Sequence, residues 1–130
     1  MKQKRSKLKS LSEVEWTLMK LCWQQGKTTA RNIYEASLKE KQRGYQTVKT
    51  MLDRMVEKGY LSRERLGPIW LYEPVIAKKR ALQMEIGKFT STVLDGVLKP
   101  VLLHFANHEK LTEEDLETMK QIIREKGGKL

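Results

Sequence analysis

The chain has 130 residues, with 26 Lys/Arg against 16 Asp/Glu for a formal charge of +10, and a single cysteine. That length fits one compact unit or a small domain with an appendage, and the lone Cys22 excludes an intrachain disulfide framework and suits a reducing cytoplasm. No apolar run approaches the ~20 residues that span a bilayer, and MKQKRSKLKS lacks the apolar stretch of a secretory signal, so a cytoplasmic location is expected.

The charge is unevenly spread. Residues 1–75 carry 16 Lys/Arg against 8 Asp/Glu, whereas residues 76–130 carry 10 against 8. A basic front half suits a polyanionic partner, because each neutralised phosphate releases condensed counterions. Attraction to a membrane surface and simple solubility are the competing explanations.

In chain order, residues 1–10 hold five Lys/Arg and few apolar side chains, and read as a disordered basic arm. Ser12-Glu13-Val14-Glu15 is a capping box opening a first helix. Its apolar stripe is Val14, Leu18, Leu21 and Cys22, widened by Trp16, Met19 and Trp23, and it stops near Gly26. In this apolar pattern Cys22 reads as a buried structural thiol. Thr28 or Thr29 caps a second helix that buries Ala30, Ile33, Tyr34 and Leu38 or Ser37. Gly44 opens a third, with Val48, Met51, Leu52, Met55 and Val56 on its apolar face and Gly59 as its left-handed stop. Strands at Leu61–Leu66 and Ile69–Tyr72 follow, joined by Gly67-Pro68. A helix followed by a β-hairpin is the reading head of a winged helix-turn-helix, placed at residues 11–74.

Past Pro74 the pattern becomes helical only. Leu82, Ile86, Phe89, Val93 and Val97 form a stripe suited to packing on another helix, interrupted by Asp95-Gly96. A short helix is expected over Val97–Asn107 with Pro100 in its first turn. Thr112–Asp115 caps a last helix carrying Leu116, Met119, Ile122 and Ile123, and residues 127–130 fray. Three short helices in ~55 residues do not make a separate core, so residues 75–126 are expected to dimerise, chiefly through Leu82, Ile86, Phe89, Val93, Val97, Leu116, Met119 and Ile123. Folding back onto the winged helix of the same chain is the alternative. The predicted fold class is therefore mainly α with a small β-hairpin wing: a winged helix-turn-helix followed by a helical dimerisation region.

The third helix carries the chemistry. Gln46, Thr47 and Thr50 suit base edges, since amide and hydroxyl groups both donate and accept. Lys49 and Arg54 suit phosphates, as do Arg63 and Arg65, which share one face of the first wing strand. A solvated edge strand is the plainer reading of that arginine pair. Asp53 on the same helix is expected to repel the backbone of a duplex. Trp70 and Tyr72 are expected to pack beneath the wing. His104 and His108, beside Glu109, stand at helical spacing, but two such ligands fall short of a structural zinc site, so no metal is expected. No phosphate-binding glycine loop, cysteine cluster or nucleophile–base set is present, which argues against an enzyme, a cofactor or a small-molecule substrate. The remaining functional classes are a sequence-specific repressor, a non-specific architectural DNA binder and a protein-interaction module.

Three segments, LSEVEWTLMKLCW (Leu11–Trp23), TVKTMLDRMVEKGYL (Thr47–Leu61) and WLYEP (Trp70–Pro74), resemble the penicillinase and methicillin-resistance repressor family (BlaI and MecI) and its copper-responsive CopY relatives. The resemblance runs from Leu11 to about Met119. It implies a homodimeric transcriptional repressor, connected with antibiotic resistance, that holds a palindromic operator in double-stranded DNA. It further implies release by a membrane sensor-protease that cuts an Asn–Phe bond in the dimerisation region. The matching bond here is His104-Phe105, with His in place of Asn. The cysteine pairs of the copper-responsive branch are absent from this chain.

Overall fold

The computed structural model describes residues 8–108 and 110–127. The start of the expected basic arm, Glu109 and the final three residues lie outside them. The chain divides into two compact units, Met1–Glu85 and Ile86–Leu130.

In the first unit, helix α1 (Glu13–Gln25) opens as the sequence requires. The Ser12 hydroxyl accepts from the Glu15 backbone N–H at 3.2 Å, while Glu15 Oε1 accepts from the Ser12 N–H at 2.8 Å. Its inward stripe buries Glu15, Leu18, Met19 and Cys22. Burial pushes the Cys22 thiol up to about 12, which keeps it protonated and inert. Strand β1 (Thr28–Thr29) leads into α2 (Ala30–Ser37), whose cap is Thr29: its hydroxyl accepts from the Asn32 N–H at 3.1 Å. Helix α3 (Tyr45–Glu57) begins at Gly44 and buries Val48, Leu52 and Met55. It ends where Gly59 turns to φ +94°, a conformation that costs a side-chain-bearing residue heavily. A Cβ there would also sit 2.5 Å from Leu8 Cδ2.

The wing is formed by β2 (Leu61–Leu66) and β3 (Ile69–Pro74), paired antiparallel with Arg63 opposite Tyr72 and Arg65 opposite Trp70. Strand β1 adds to the other edge of β3, giving the order β1-β3-β2. Sequence patterning misses β1, because a strand of two residues has no alternation to detect. The core joins Leu18, Met19, Cys22, Ile33, Val48, Leu52, Met55, Tyr60, Leu61 and Tyr72. Each large apolar side chain buried there stabilises the fold by roughly 1.5–3 kcal/mol.

This unit is wider at both ends than residues 11–74. Leu8 packs on the core, the Tyr60 hydroxyl donates to the Lys9 carbonyl at 3.0 Å, and the Lys58 ammonium donates to the Ser10 carbonyl at 3.0 Å. The described end of the expected arm is thus docked. Beyond Pro74, the Trp23 indole N–H donates to the Ile76 carbonyl at 2.9 Å, and Ala81 on α4 (Lys78–Thr92) is buried.

The second unit starts within α4 and continues through α5 (Lys99–His108), α6 (Glu113–Ile122) and a π-helical turn at Ile123–Gly127. Helix α4 stops at Thr92, so Val93 lies just beyond it, and Val97, expected to open the next helix, precedes α5, which begins at Lys99. Thr90 and Ser91 turn their hydroxyls onto the carbonyls of Ile86 and Lys88, and the Gly96 N–H closes back on the Thr90 carbonyl at 3.0 Å. Asp95 and Gly96 both take positive φ, at 56° and 81°, the left-handed exit that ends a helix. The Thr112 box opens α6 as expected, with Thr112 and Asp115 exchanging 3.0 Å bonds. No described residue of this unit is buried.

Candidate nucleic-acid interface

Helix α3 has two unlike sides. Val48, Leu52 and Met55 face the core, while Gln46, Thr47, Thr50 and Arg54 are exposed. Gln46, Thr50 and Arg54 follow one another at intervals of four and form a single polar ridge. The Tyr45 ring at the head of the helix meets Tyr34 edge-on at 5.8 Å between centroids. The Arg31 guanidinium stands over both, 4.7 Å from the Tyr45 ring and 5.4 Å from that of Tyr34. Two aromatic faces hold that cation beside the start of α3.

The hairpin is sided by charge. Its alternation puts Arg63, Arg65, Trp70 and Tyr72 on one face and Glu64 and Glu73 on the other. Trp70 is the platform of the first face: the Arg63 guanidinium lies 4.5 Å from its ring and that of Arg65 5.1 Å. Arg65 Nε also donates to the Gly67 carbonyl at 3.0 Å. On the second face the Lys27 ammonium approaches Glu64 and Glu73 at 3.8 and 3.9 Å. Between the hairpin and the helices runs a cleft of about 300 Å³, lined among others by Arg31, Tyr45, Lys49, Ile69 and Trp70. It is open, aromatic and cationic.

Asp53 links the two walls. Its Oδ1 accepts from the Tyr72 hydroxyl and from Arg63 Nη1, both at 2.6 Å, and its Oδ2 accepts from the Lys49 ammonium at 3.0 Å. Burial alone raises the Asp53 carboxyl, but the bonds from Tyr72 and Lys49, the Lys49 charge and Arg63 outweigh it and hold it below its ordinary value. Burial and the same carboxylate push the Tyr72 phenol up. Of the residues singled out from the sequence, Gln46, Thr47, Thr50 and Arg54 therefore share one exposed face, whereas Lys49 and Arg63 converge on Asp53. Sequence reading missed Arg31 and the Asp53 linkage. The Arg31–Tyr34 spacing on α2 was a usable signal; the partners of Asp53 on the wing were not, since they come from other elements.

In the second unit, Ile86, Phe89, Val93, Val97, Leu116, Met119 and Ile123 are all exposed, Ile123 by 66%. Leu82, grouped with them by pattern, falls in the first unit. His104 and His108 stack on α5 with ring centroids 4.9 Å apart, and the Phe105 ring meets His104 edge-on at 6.0 Å. Among the described residues no group of three His, Cys, Asp or Glu side chains is placed to hold a metal, and no helix is long and apolar enough to cross a membrane.

Residues 11–125 match the penicillinase repressor family. This chain belongs to that family. It is 24% identical to the methicillin resistance regulatory protein MecI of Staphylococcus aureus (strain N315) over 121 residues, covering 93% of this chain and 98% of that protein. Against the penicillinase repressor of Bacillus licheniformis it is 24% identical, over 92% of this chain and 93% of the relative. The solution structure of the DNA-binding domain of the repressor BlaI superposes with a TM-score of 0.50 at 25% identity, covering 55% of this chain and 87% of that one. The winged-helix assignment for this penicillinase repressor family member thus rests on both its own strand and helix order and a solved relative.

Proposed function

We propose that this chain is a DNA-binding transcriptional repressor that occupies a palindromic operator as a homodimer. The observation that carries the reading is the exposed ridge of α3 set beside the cationic face of the wing. Gln46, Thr47 and Thr50 would read base edges in the major groove, and Arg54, Arg63, Arg65 and Lys49 would hold phosphates. The uncovered apolar side chains of the second unit support pairing with a second copy, which would set two recognition helices on one two-fold operator. Occupying a promoter blocks transcription by excluding polymerase. Release by a membrane sensor-protease cutting at His104-Phe105 is the fitting switch, because the cut would detach α6 and weaken the dimer. Intact-mass analysis after incubation with the activated sensor tests that step, and an uncut chain overturns it.

The test of the main reading compares a palindromic duplex from the protein's own promoter region with a scrambled duplex at ~150 mM salt, near physiological ionic strength. Preferential binding of the palindrome, lost in Thr50→Ala/Arg54→Ala, is expected. Equal binding of both duplexes would mean an architectural DNA binder, and no binding a protein-interaction module.

A further inference from the structure

A carboxylate on a DNA-reading helix is expected to weaken binding, since it faces a wall of phosphates. Asp53 is placed otherwise. Its side chain is 31% exposed, and both of its oxygens already carry donors. Lys49 comes from the preceding turn of α3, Tyr72 from β3 and Arg63 from β2. One carboxylate therefore ties the helix to both strands of the wing. A guanidinium has five N–H donors, so the bond to Asp53 fixes the Arg63 fork over Trp70 while leaving it capacity to bind a phosphate.

We propose that Asp53 is a positioning residue for operator recognition: it fixes the wing against the recognition helix, so that Arg63 and the polar ridge of α3 meet the duplex in one register. This rests on the reading of the chain as a sequence-specific DNA binder. Asp53 touches no base or phosphate in this scheme. It acts through Arg63, Tyr72 and Lys49, and its value lies in the geometry it imposes, at the expense of some non-specific attraction.

The proposal makes the opposite prediction from simple electrostatics. Asp53→Asn removes a negative charge from the interface, so charge alone predicts tighter binding to every duplex. Positioning predicts that affinity for the palindrome falls while affinity for a scrambled duplex is unchanged or rises. The ratio of the two should drop by about tenfold, the scale of one mismatched base pair. Asp53→Glu, which keeps the charge, should recover part of the ratio, and Tyr72→Phe, which removes one tie, should lose part of it. Full-length proteins are compared by fluorescence anisotropy over a salt series, with circular dichroism melts establishing the folded fraction. If Asp53→Asn does not fold, Tyr72→Phe decides alone. An unchanged ratio, with both affinities raised together, overturns the positioning role while leaving the repressor reading intact. A wild-type protein that does not distinguish the two duplexes overturns both.

Discussion

Glu15 serves the N-terminus of α1 and the C-terminal cap of α3 at once. It is the acidic member of the capping box, its side chain is only 2% exposed, and its Oε1 accepts from the Lys58 ammonium at 2.6 Å. Burial alone raises its carboxyl; the Lys58 hydrogen bond, the Ser12 backbone N–H and the Lys58 charge outweigh that and hold it below the ordinary value. A depressed folded-state value contributes stability that is complete above the unfolded carboxyl value and disappears as pH falls through the folded one. Lys58→Met should raise the Glu15 value. With its cation gone, burial is opposed only by the Ser12 bonds, so the variant should lose about 3 kcal/mol near neutral pH. Its deficit should shrink as the solution is acidified. Urea unfolding across that pH range checks this, and a pH-independent deficit would mean that Lys58 acts only through its packing. The box was legible in the sequence because its two members are three residues apart, but the Lys58 partner, forty-three residues away, was not. The wing partners of Asp53 were hidden for the same reason: they lie ten and nineteen residues along the chain.

At the scale of elements, the hairpin is stapled by Gly67-Pro68 and levelled by Trp70, with Arg63 and Arg65 resting on one indole. Holding both guanidinium groups in place lowers the ordering entropy of a phosphate contact. Arg65→Ala should weaken binding to palindromic and scrambled duplexes nearly alike, and reduce the slope of log K against log salt by about 1. A salt titration settles it; an unchanged slope would place Arg65 off the phosphates. Helix and hairpin periods were readable because apolar spacing and turn residues agree locally over Gly44–Pro74. The break after α4 was readable from Asp95-Gly96, but its exact end at Thr92 was not, since Val93 keeps the apolar spacing and the hydroxyl back-bonding of Thr90 and Ser91 leaves no mark in that pattern.

For the whole molecule, the two units differ in how much apolar surface they bury. The first has a core; the second, among its described residues, leaves Ile86, Phe89, Leu102, Leu103, Phe105 and Ile122 exposed. Solvated apolar area of that kind is the signature of an interface. The full chain should sediment at twice its chain mass, with a melting temperature that rises with concentration. Leu102→Asp/Phe105→Asp should shift it to monomer and make operator binding require far higher protein concentrations, because two linked reading heads bind more tightly than one. Unaltered sedimentation would move the interface elsewhere. The apolar positions of this region were legible from their spacing but their arrangement was not, since none of its described residues is buried in a core that would fix it.

The opposed faces of the wing have a kinetic consequence. Arg63 and Arg65 stand on one side of a ribbon one strand thick, Glu64 and Glu73 on the other. A duplex arriving from the α3 side should meet two guanidinium groups, whereas on the opposite side Lys27 and the two carboxylates offset one another and offer no such attraction. The hairpin should therefore bias encounters by direction and raise the share of collisions that are productive.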